Sequence, residues 1–422
     1  MTDARRIALE ILNKCESAEQ YSNIALDTAL KRNELPRADR RLLTSLVYGS
    51  IEHRLTLDYW IAALCDRKEQ KIDLNTRNLL RMGLYQLAYL DRVPDHAAVN
   101  ETVAMTPRHV RGFVNAILRA FLRVNKQIPW PSDPMERLSV QYSVLPAVCH
   151  AFVDAYGMER TEQILASFAR PSHITLAVNT LRTTRDELMA QLHQAGLECD
   201  TCRESQRGLS LRTGNVTALP GFEEGLFYVQ DEASQLCVEA LDVHAEMTVL
   251  DACACPGSKS FGAAINMENR GRVIACDLHR NKLSLVEQSA ERLGLSIIET
   301  EAQDGRVMRE EWIEAFDRVL CDVPCSGYGV LAKKPEIRYK DPAPCASLPD
   351  IQLAIVENAC RYVKKGGRMV YSTCTLLPAE NGENVRRFLA HNPDFTLCRE
   401  RTLFPDTDMT DGFYFAVLER VK

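Results

Sequence analysis

From roughly Ala240 to Lys422, short apolar runs alternate with amphipathic stretches of helical period, and this alternation restricts the fold more than any other feature of the chain. Thr248 to Leu250, Arg272 to Cys276, Ser296 to Glu301, Asp317 to Cys321 and Arg368 to Tyr371 read as strands, while Asn281 to Leu293 and Leu353 to Val363 read as helices between them. Strands separated by helices cannot pair as tight hairpins, so the sheet is expected to be mostly parallel and covered on both faces. Gly412 to Leu418, GFYFAVL, adds a closing apolar strand. In open sheets of this kind, ligands bind at the carboxyl ends of the strands.

Two of those ends carry a thiol. FDRVLCDVPCSGY, Phe316 to Tyr328, runs through a strand into a turn bearing Cys325, and MVYSTCTLL, Met369 to Leu377, repeats the pattern with Cys374. A lone strand-end cysteine is more often inert packing. Two of them at two strand ends point to thiol chemistry on a ligand bound in one crevice.

Three further turns suggest what the ligand is. Asp251-Ala252-Cys253-Ala254-Cys255-Pro256-Gly257-Ser258-Lys259 follows the first strand with small residues that let the backbone approach a bound molecule. Asp277 follows the second strand, placed like an acidic residue that holds a nucleotide ribose, and Asp304-Gly305-Arg306 follows the third. In series they read as a nucleoside site. The chain lacks a Walker lysine motif and Gly-x-Gly-x-x-Gly, which disfavours ATP and NAD.

A chain of 422 residues exceeds what one core usually fills, so further domains are expected. Residues 1–130 read as all-helical, 133–239 as a small α+β subdomain, and 240–422 as the α/β domain. Helical periodicity covers Asp3 to Lys31, Arg37 to Cys65, Asn75 to Arg92, Met135 to Gly157 and Glu159 to Arg170. No apolar run reaches the roughly 20 residues of a membrane span and the start has no signal-peptide form, so a cytoplasmic protein without membrane contact is expected. The 15 cysteines are scattered and odd in number, which argues for reduced thiols. Cys199 and Cys202 have Cys-x-x-Cys spacing but lack a second pair, so no metal is expected.

The net charge of −6 does not advertise nucleic acid, and any basic surface has to be local. One such segment exists. Thr102 to Ser132 holds no acidic residue, and Arg108, Arg111, Arg119, Arg123 and Lys126 fall on one expected helix face opposite Val110, Phe113, Val114, Ile117, Phe121 and Val124. A solvated basic face is the plain reading; a phosphate-tracking one gains ground if the rest of the chain points to RNA.

These residues together resemble the RsmB/Sun (Fmu) group of bacterial 16S rRNA cytosine-5 methyltransferases, within the Nol/Nop/Sun family. The resemblance rests on Asp251 to Ser260, DACACPGSKS; on Asp322-Val323-Pro324-Cys325-Ser326-Gly327; on Thr373-Cys374-Thr375; and on Lys334 to Tyr339 and Asp411-Gly412-Phe413. The helical first third is similar to a NusB-like RNA-binding domain. The resemblance implies a Rossmann-like methyltransferase domain that uses S-adenosyl-L-methionine, lined by Cys253 to Lys259, Asp277, Asp304 and Asp322. It implies Cys374 as the nucleophile toward cytosine C6, Cys325 as the thiol that assists product release, and Asp322 as a contact to the base. Lys333, Lys334, Arg338, Tyr339 and Lys340 would hold the flanking RNA backbone, with ribosomal RNA as the partner of a monomer.

The sequence departs from the group at Cys255, where Ala is usual, and at Ser258, where Gly is usual; Ala379 replaces an acidic residue. If position 258 needs a left-handed backbone, a side chain there costs roughly 1–2 kcal/mol and weakens cofactor binding. The alternative reading is therefore an RNA-binding ribosome-assembly factor whose methyltransferase domain has lost its cofactor.

Overall fold

The computed structural model describes residues 4–17, 21–65, 72–170, 173–212 and 216–422. The chain divides into two compact units, 1–165 with 334–341, and 166–333 with 342–422. This division differs from the three sequence segments, since residues 133–165 and a short excursion from the α/β region both join the helical unit.

The first unit contains the helices Ala4–Ser17, Ser22–Arg32, Arg37–Glu52, Arg54–Leu64, Leu74–Tyr89, Asp95–Met105, Arg111–Arg123, Pro134–Tyr142 and Pro146–Tyr156. Their apolar stripes meet in two clusters, one around Leu43, Leu46, Val47 and Leu79, the other around Leu57, Leu80, Leu118 and Phe121. The expected helix from Met135 to Gly157 is two helices. Ser143 turns left-handed (φ 52°) to cap the first, and Pro146, which disfavours helical backbone in the residue before it, starts the second.

Residues 334–341 lie in this unit as part of its packing. Glu336 accepts a hydrogen bond from the Ser22 amide at 2.8 Å, and the Tyr339 hydroxyl bonds the Ile51 carbonyl at 2.5 Å and the Ser143 hydroxyl at 2.8 Å. Arg338 is 4% exposed and donates from Nη1 to the Tyr142 carbonyl at 2.8 Å.

The second unit contains two sheets. In the small one, β1 (Ile174–Val178), β2 (Cys199–Thr201), β3 (Gly208–Leu211) and β4 (Phe227–Val229) run antiparallel in the order β2-β3-β1-β4. The helix Arg185–Gln194 covers it, with a capping box between Thr184 and Glu187. Its core is Leu176, Val178, Leu188, Leu192, Leu209 and Phe227.

The large sheet has β5 (Thr248–Asp251), β6 (Arg272–Asp277), β7 (Ile298–Ala302), β8 (Phe316–Asp322), β9 (Val363–Thr373), β10 (Phe395–Leu403) and β11 (Phe413–Arg420), ordered β10-β11-β9-β8-β5-β6-β7. β5 to β9 are parallel, and β11 pairs antiparallel with both β9 and β10. The central strands are buried on both faces, as their near-continuous apolar composition requires: Val249 and Val370 belong to one core cluster, Leu250, Val319 and Met369 to the other. The sequence progresses outward from β5 to β7, then returns to β8 on the other side of β5. That reversal opens a crevice at the carboxyl ends of β5 and β8.

Candidate active site

The strand ends around that crevice are stitched to one another by backbone hydrogen bonds. Ala252 N donates to Leu320 O at 2.9 Å, Ala254 N to Cys276 O at 2.7 Å, and Val323 N to Ser372 O at 3.1 Å. The turns bearing the candidate residues are therefore fixed relative to the sheet.

The turn after β5 reaches its helix through Gly257, whose φ of +106° is open to glycine and strained for other residues; a Cβ there would also lie 2.6 Å from the Phe261 ring. Ser258 is the first residue of the helix Ser258–Asn266 and has ordinary helical backbone. The strain anticipated at position 258 is absent, because the left-handed residue is its neighbour. Cys253 and Cys255 are half-buried, Pro256 is exposed, and Ala254 and Gly257 are buried. Burial and then the charge of Asp277 push the Cys255 thiol up to about 12, so this cysteine sits beside the carboxylate at the end of β6. Asp277 accepts from the His279 amide at 2.8 Å, and Asp304 forms an ion pair with Arg306 at 2.7 Å.

Lys259, one residue into that helix, is 8% exposed and ion-pairs with Asp322 at 2.7 Å. Its ammonium also lies over the Phe413 ring, 5.2 Å from the centroid. Burial pulls this ammonium down, but the Asp322 carboxylate outweighs it, aided by the nearby Cys237 and Cys374 sulfurs, and holds the group above the ordinary lysine value. Asp322 faces Ser372 across the β8/β9 register, and the Ser372 hydroxyl donates to its other oxygen at 2.7 Å. Beneath them, Asp251 is 1% exposed and accepts from Ser260 Oγ at 2.6 Å; burial raises its carboxyl to about 7.

The two thiols come together. Cys325 Sγ and Cys374 Sγ are 3.1 Å apart, and the Cys374 amide points at Cys325 Sγ at 3.3 Å. Both side chains are half-buried. The Cys325 thiol is held well above its usual value by its hydrogen bond to Cys374, by burial, and by the charges of Cys374, Glu380 and Asp322. Two thiols sharing a hydrogen bond at this distance titrate as a pair. No helix N-terminus directly follows Cys374. Pro378–Glu380 is a short 3₁₀ turn and the helix starts at Gly382, whereas the cation that Cys374 feels is Lys259.

The closing Asp411-Gly412-Phe413 segment has a structural part here. Gly412 N donates to Gly329 O at 2.8 Å and Gly329 N to Cys374 O at 2.9 Å, and a Cβ on Gly329 would lie within 2 Å of the Gly412 carbonyl oxygen, at 1.8 Å. Three residues around the site were not singled out from the sequence: Ser372; Gln352 of the helix Leu348–Ala359, whose Nε2 donates to the Pro324 carbonyl at 2.9 Å; and Glu380, which accepts from the Ser326 amide at 3.0 Å. Ser372 was legible in retrospect as the residue opposite Asp322 in register, but Gln352 and Glu380 lie in a helix and a turn whose approach to the thiols only the fold brings about.

The expected RNA-contact residues divide. Arg108, Arg111, Arg119, Arg123 and Lys126 are exposed, but only Arg111, Arg119 and Arg123 lie on the helix Arg111–Arg123; Arg108 precedes it, and Lys126 follows with φ 61° and pairs with Asp95 at 2.8 Å. Val114, Ile117, Leu118 and Phe121 form the buried stripe, and Val124 is 43% exposed, outside it. Lys333 pairs with Asp231 at 2.7 Å and Asp411 at 2.8 Å. Lys334 is exposed. Arg338 does not fit an RNA contact, because its guanidinium is enclosed in the helical unit.

Seven strands in this order, with a small-residue turn and acidic strand ends at the crevice, define a Rossmann-like methyltransferase domain. Family models agree: residues 238–419 match "16S rRNA methyltransferase RsmB/F", residues 2–123 the NusB family, and residues 148–217 the ferredoxin-like domain of RsmF/B-like methyltransferases. The Bacillus subtilis (strain 168) protein named "Probable ribosomal RNA small subunit methyltransferase B" is 40% identical over 93% of this chain and 90% of its own. The Pseudomonas putida ribosomal RNA small subunit methyltransferase B is 32% identical, covering 92% of each. Among solved structures, that of PH0851 superposes with a TM-score of 0.83 at 24% identity, covering 99% of each chain, and NSun6 from Pyrococcus horikoshii with a TM-score of 0.60 at 21% identity, covering 65% of this chain and 98% of that one. The chain belongs to the 16S rRNA methyltransferase RsmB/F family.

Proposed function

We propose that this protein transfers a methyl group from S-adenosyl-L-methionine to C5 of a cytosine in 16S ribosomal RNA, with Cys374 bonded transiently to C6 of the base. The observation that carries this reading is the pair of sulfurs 3.1 Å apart beside the Lys259–Asp322 ion pair, at the crevice of a methyltransferase sheet. The residues fit the cofactor. The left-handed Gly257 keeps the first turn free of a side chain, and Asp277 offers a carboxylate suited to ribose hydroxyls. When bound there, the sulfonium supplies an electrophilic methyl group.

Cytosine C5 is a poor nucleophile until the aromatic ring is interrupted. The Cys374 thiolate adds to C6, which makes C5 an enamine carbon, and the charge that builds toward N3 is met by the Lys259 ammonium. Asp322 accepts from the exocyclic N4 amine. After methylation the C5 proton is lost and the C6–S bond breaks, returning the electron pair to Cys374; Cys325 lies in reach to assist both events. The base has to leave its stack to reach the site, at a cost of a few kcal/mol that is smaller in single strands. Arg111, Arg119 and Arg123 offer a phosphate-tracking face on the NusB-like domain.

The test is a pair of variants incubated with unmodified small-subunit rRNA and labelled cofactor. Cys374→Ala is expected to abolish transfer without adduct, and Cys325→Ala to accumulate a denaturation-resistant protein–RNA complex. Normal turnover by Cys325→Ala would overturn the division of labour.

A further inference from the structure

Glu380 takes no part in the chemistry above, yet it is the best-connected acidic group beside the thiols. It is 2% exposed. Its carboxylate accepts from the Ser326 amide at 3.0 Å, from the Ser326 hydroxyl at 2.5 Å and from Gln352 Nε2 at 2.8 Å. Gln352 Nε2 also donates to the Pro324 carbonyl at 2.9 Å. The residues on both sides of Cys325 are thus tied to one carboxylate–amide pair. The same turn grips the other cysteine: Ser326 Oγ meets Thr375 Oγ1 at 2.8 Å, and Asn381 Nδ2 donates to the Thr375 carbonyl at 3.0 Å.

Bracing alone does not call for a charge here, since burying a carboxylate is costly and a neutral group could brace the turn. What a carboxylate adds is its field. Glu380 bonds the residue next to Cys325, whereas the cation near Cys374 is Lys259. We propose that Glu380 is a positioning residue for the thiol pair, fixing the two cysteine turns at hydrogen-bond distance and keeping their shared proton on Cys325, so that Cys374 is the thiolate. This deepens, and rests on, the division of labour proposed above.

The proton balance is simple. When the pair ionises, one proton leaves to solvent; the other stays on Cys325 Sγ and bonds Cys374 Sγ. The charged and titratable groups facing the pair are Asp322, Lys259, Glu380 and Tyr371, whose hydroxyl donates to the Glu380 carbonyl at 2.5 Å and is pushed by burial well above its usual range. The hydrogen bond to Cys374 comes first in raising Cys325, then burial and the Cys374 charge, and Glu380 and Asp322 act in the same direction.

The experiment uses the full chain and iodoacetamide between pH 6 and 9, with the Cys374 to Cys325 labelling ratio read by peptide mass spectrometry. The parent is expected to label chiefly at Cys374. Glu380→Gln is expected to lower the ratio about tenfold, one pKa unit between the two thiols, and Glu380→Asp to restore part of it. A folded Glu380→Gln protein with the parent's ratio overturns the proposal. Should its melting curve show that it does not fold, Glu380→Asp decides: the charge stays but its reach to Ser326 shortens, so a ratio below the parent's is expected, and a folded Glu380→Asp protein with the parent's ratio overturns the proposal. Labelling needs no RNA, so a protein that labels as expected but methylates no rRNA would refute the proposed function and not this assignment.

Discussion

Replacing Asp322 by Asn keeps the shape of the side chain and removes the charge that Lys259 depends on. Lys259 has a side-chain exposure of 10% and Asp322 of 28%. Removing one partner of a fully buried pair costs about 3–5 kcal/mol, because the remaining charge is left in a medium that solvates it poorly. Asp322 is more than a quarter exposed and Lys259 keeps the Phe413 ring, so the expected loss for Asp322→Asn is about 2–3 kcal/mol at pH 7. The pH dependence has a definite sign. In the parent, Lys259 is raised above its unfolded value, so its contribution is complete at neutral pH and is lost only as pH rises through the raised value. In the variant, burial acts unopposed by Asp322 and pulls Lys259 below its unfolded value; the unfolded chain then binds more protons, and stability climbs toward alkaline pH. The deficit relative to the parent should therefore shrink between pH 7 and 10. Lys259→Met/Asp322→Asn, with no charge left, should recover most of the loss. Urea unfolding of the parent, Asp322→Asn, Lys259→Met and the double variant at pH 7 and 9 measures all of this. An Asp322→Asn variant within about 0.5 kcal/mol of the parent, or a double variant as unstable as the sum of the singles, would refute the reasoning.

Asp251, raised by burial to about 7, contributes stability that is complete below its unfolded value near 4 and is lost as pH rises through 7; Asp251→Asn should flatten a decline of up to about 4 kcal/mol between pH 4 and 8, and urea midpoints with the parent's slope would contradict it. Ser258→Gly should leave S-adenosyl-L-methionine affinity within about twofold by calorimetry while lowering stability by about 0.5–1 kcal/mol, since residue 258 is helical and unstrained. Arg119→Ala and Arg123→Ala should each reduce the salt dependence of rRNA binding by about one unit of log–log slope, whereas Arg338→Met should change stability and leave that slope unaltered; a slope change for Arg338→Met would show that its burial is broken on RNA.

Much of the α/β domain was legible because its strands are apolar, short and punctuated. β5, β6, β8 and β11 lie within one or two residues of the runs read from the sequence. β10 was missed for a physical reason: it is an edge strand, FTLCRERTL, whose exposed positions carry no apolar period. The first helices were read too long, since Arg37 to Cys65 keeps its periodicity across His53, where the backbone leaves helical geometry between Arg37–Glu52 and Arg54–Leu64. The residues at the site were legible as types and spacings, because a thiol after a strand and a glycine before a helix are local signals. Their partners were not.

By itself the sequence determined an alternating α/β domain with two thiol-bearing strand ends, a helical front domain and a small-residue turn after the first strand, because each of these follows from period and turn chemistry within a dozen residues. Only the tertiary structure decided that the strained position is Gly257 and not Ser258, that Arg338 is buried in the helical unit, that Lys259 neutralises Asp322, and that Glu380 lies beside the turn of Cys325. The last three are pairings between residues from about 50 to 200 positions apart, as for Glu380–Ser326 (54), Lys259–Asp322 (63) and Arg338–Tyr142 (196). Strand order and packing set such distances, and no local pattern in the chain encodes them.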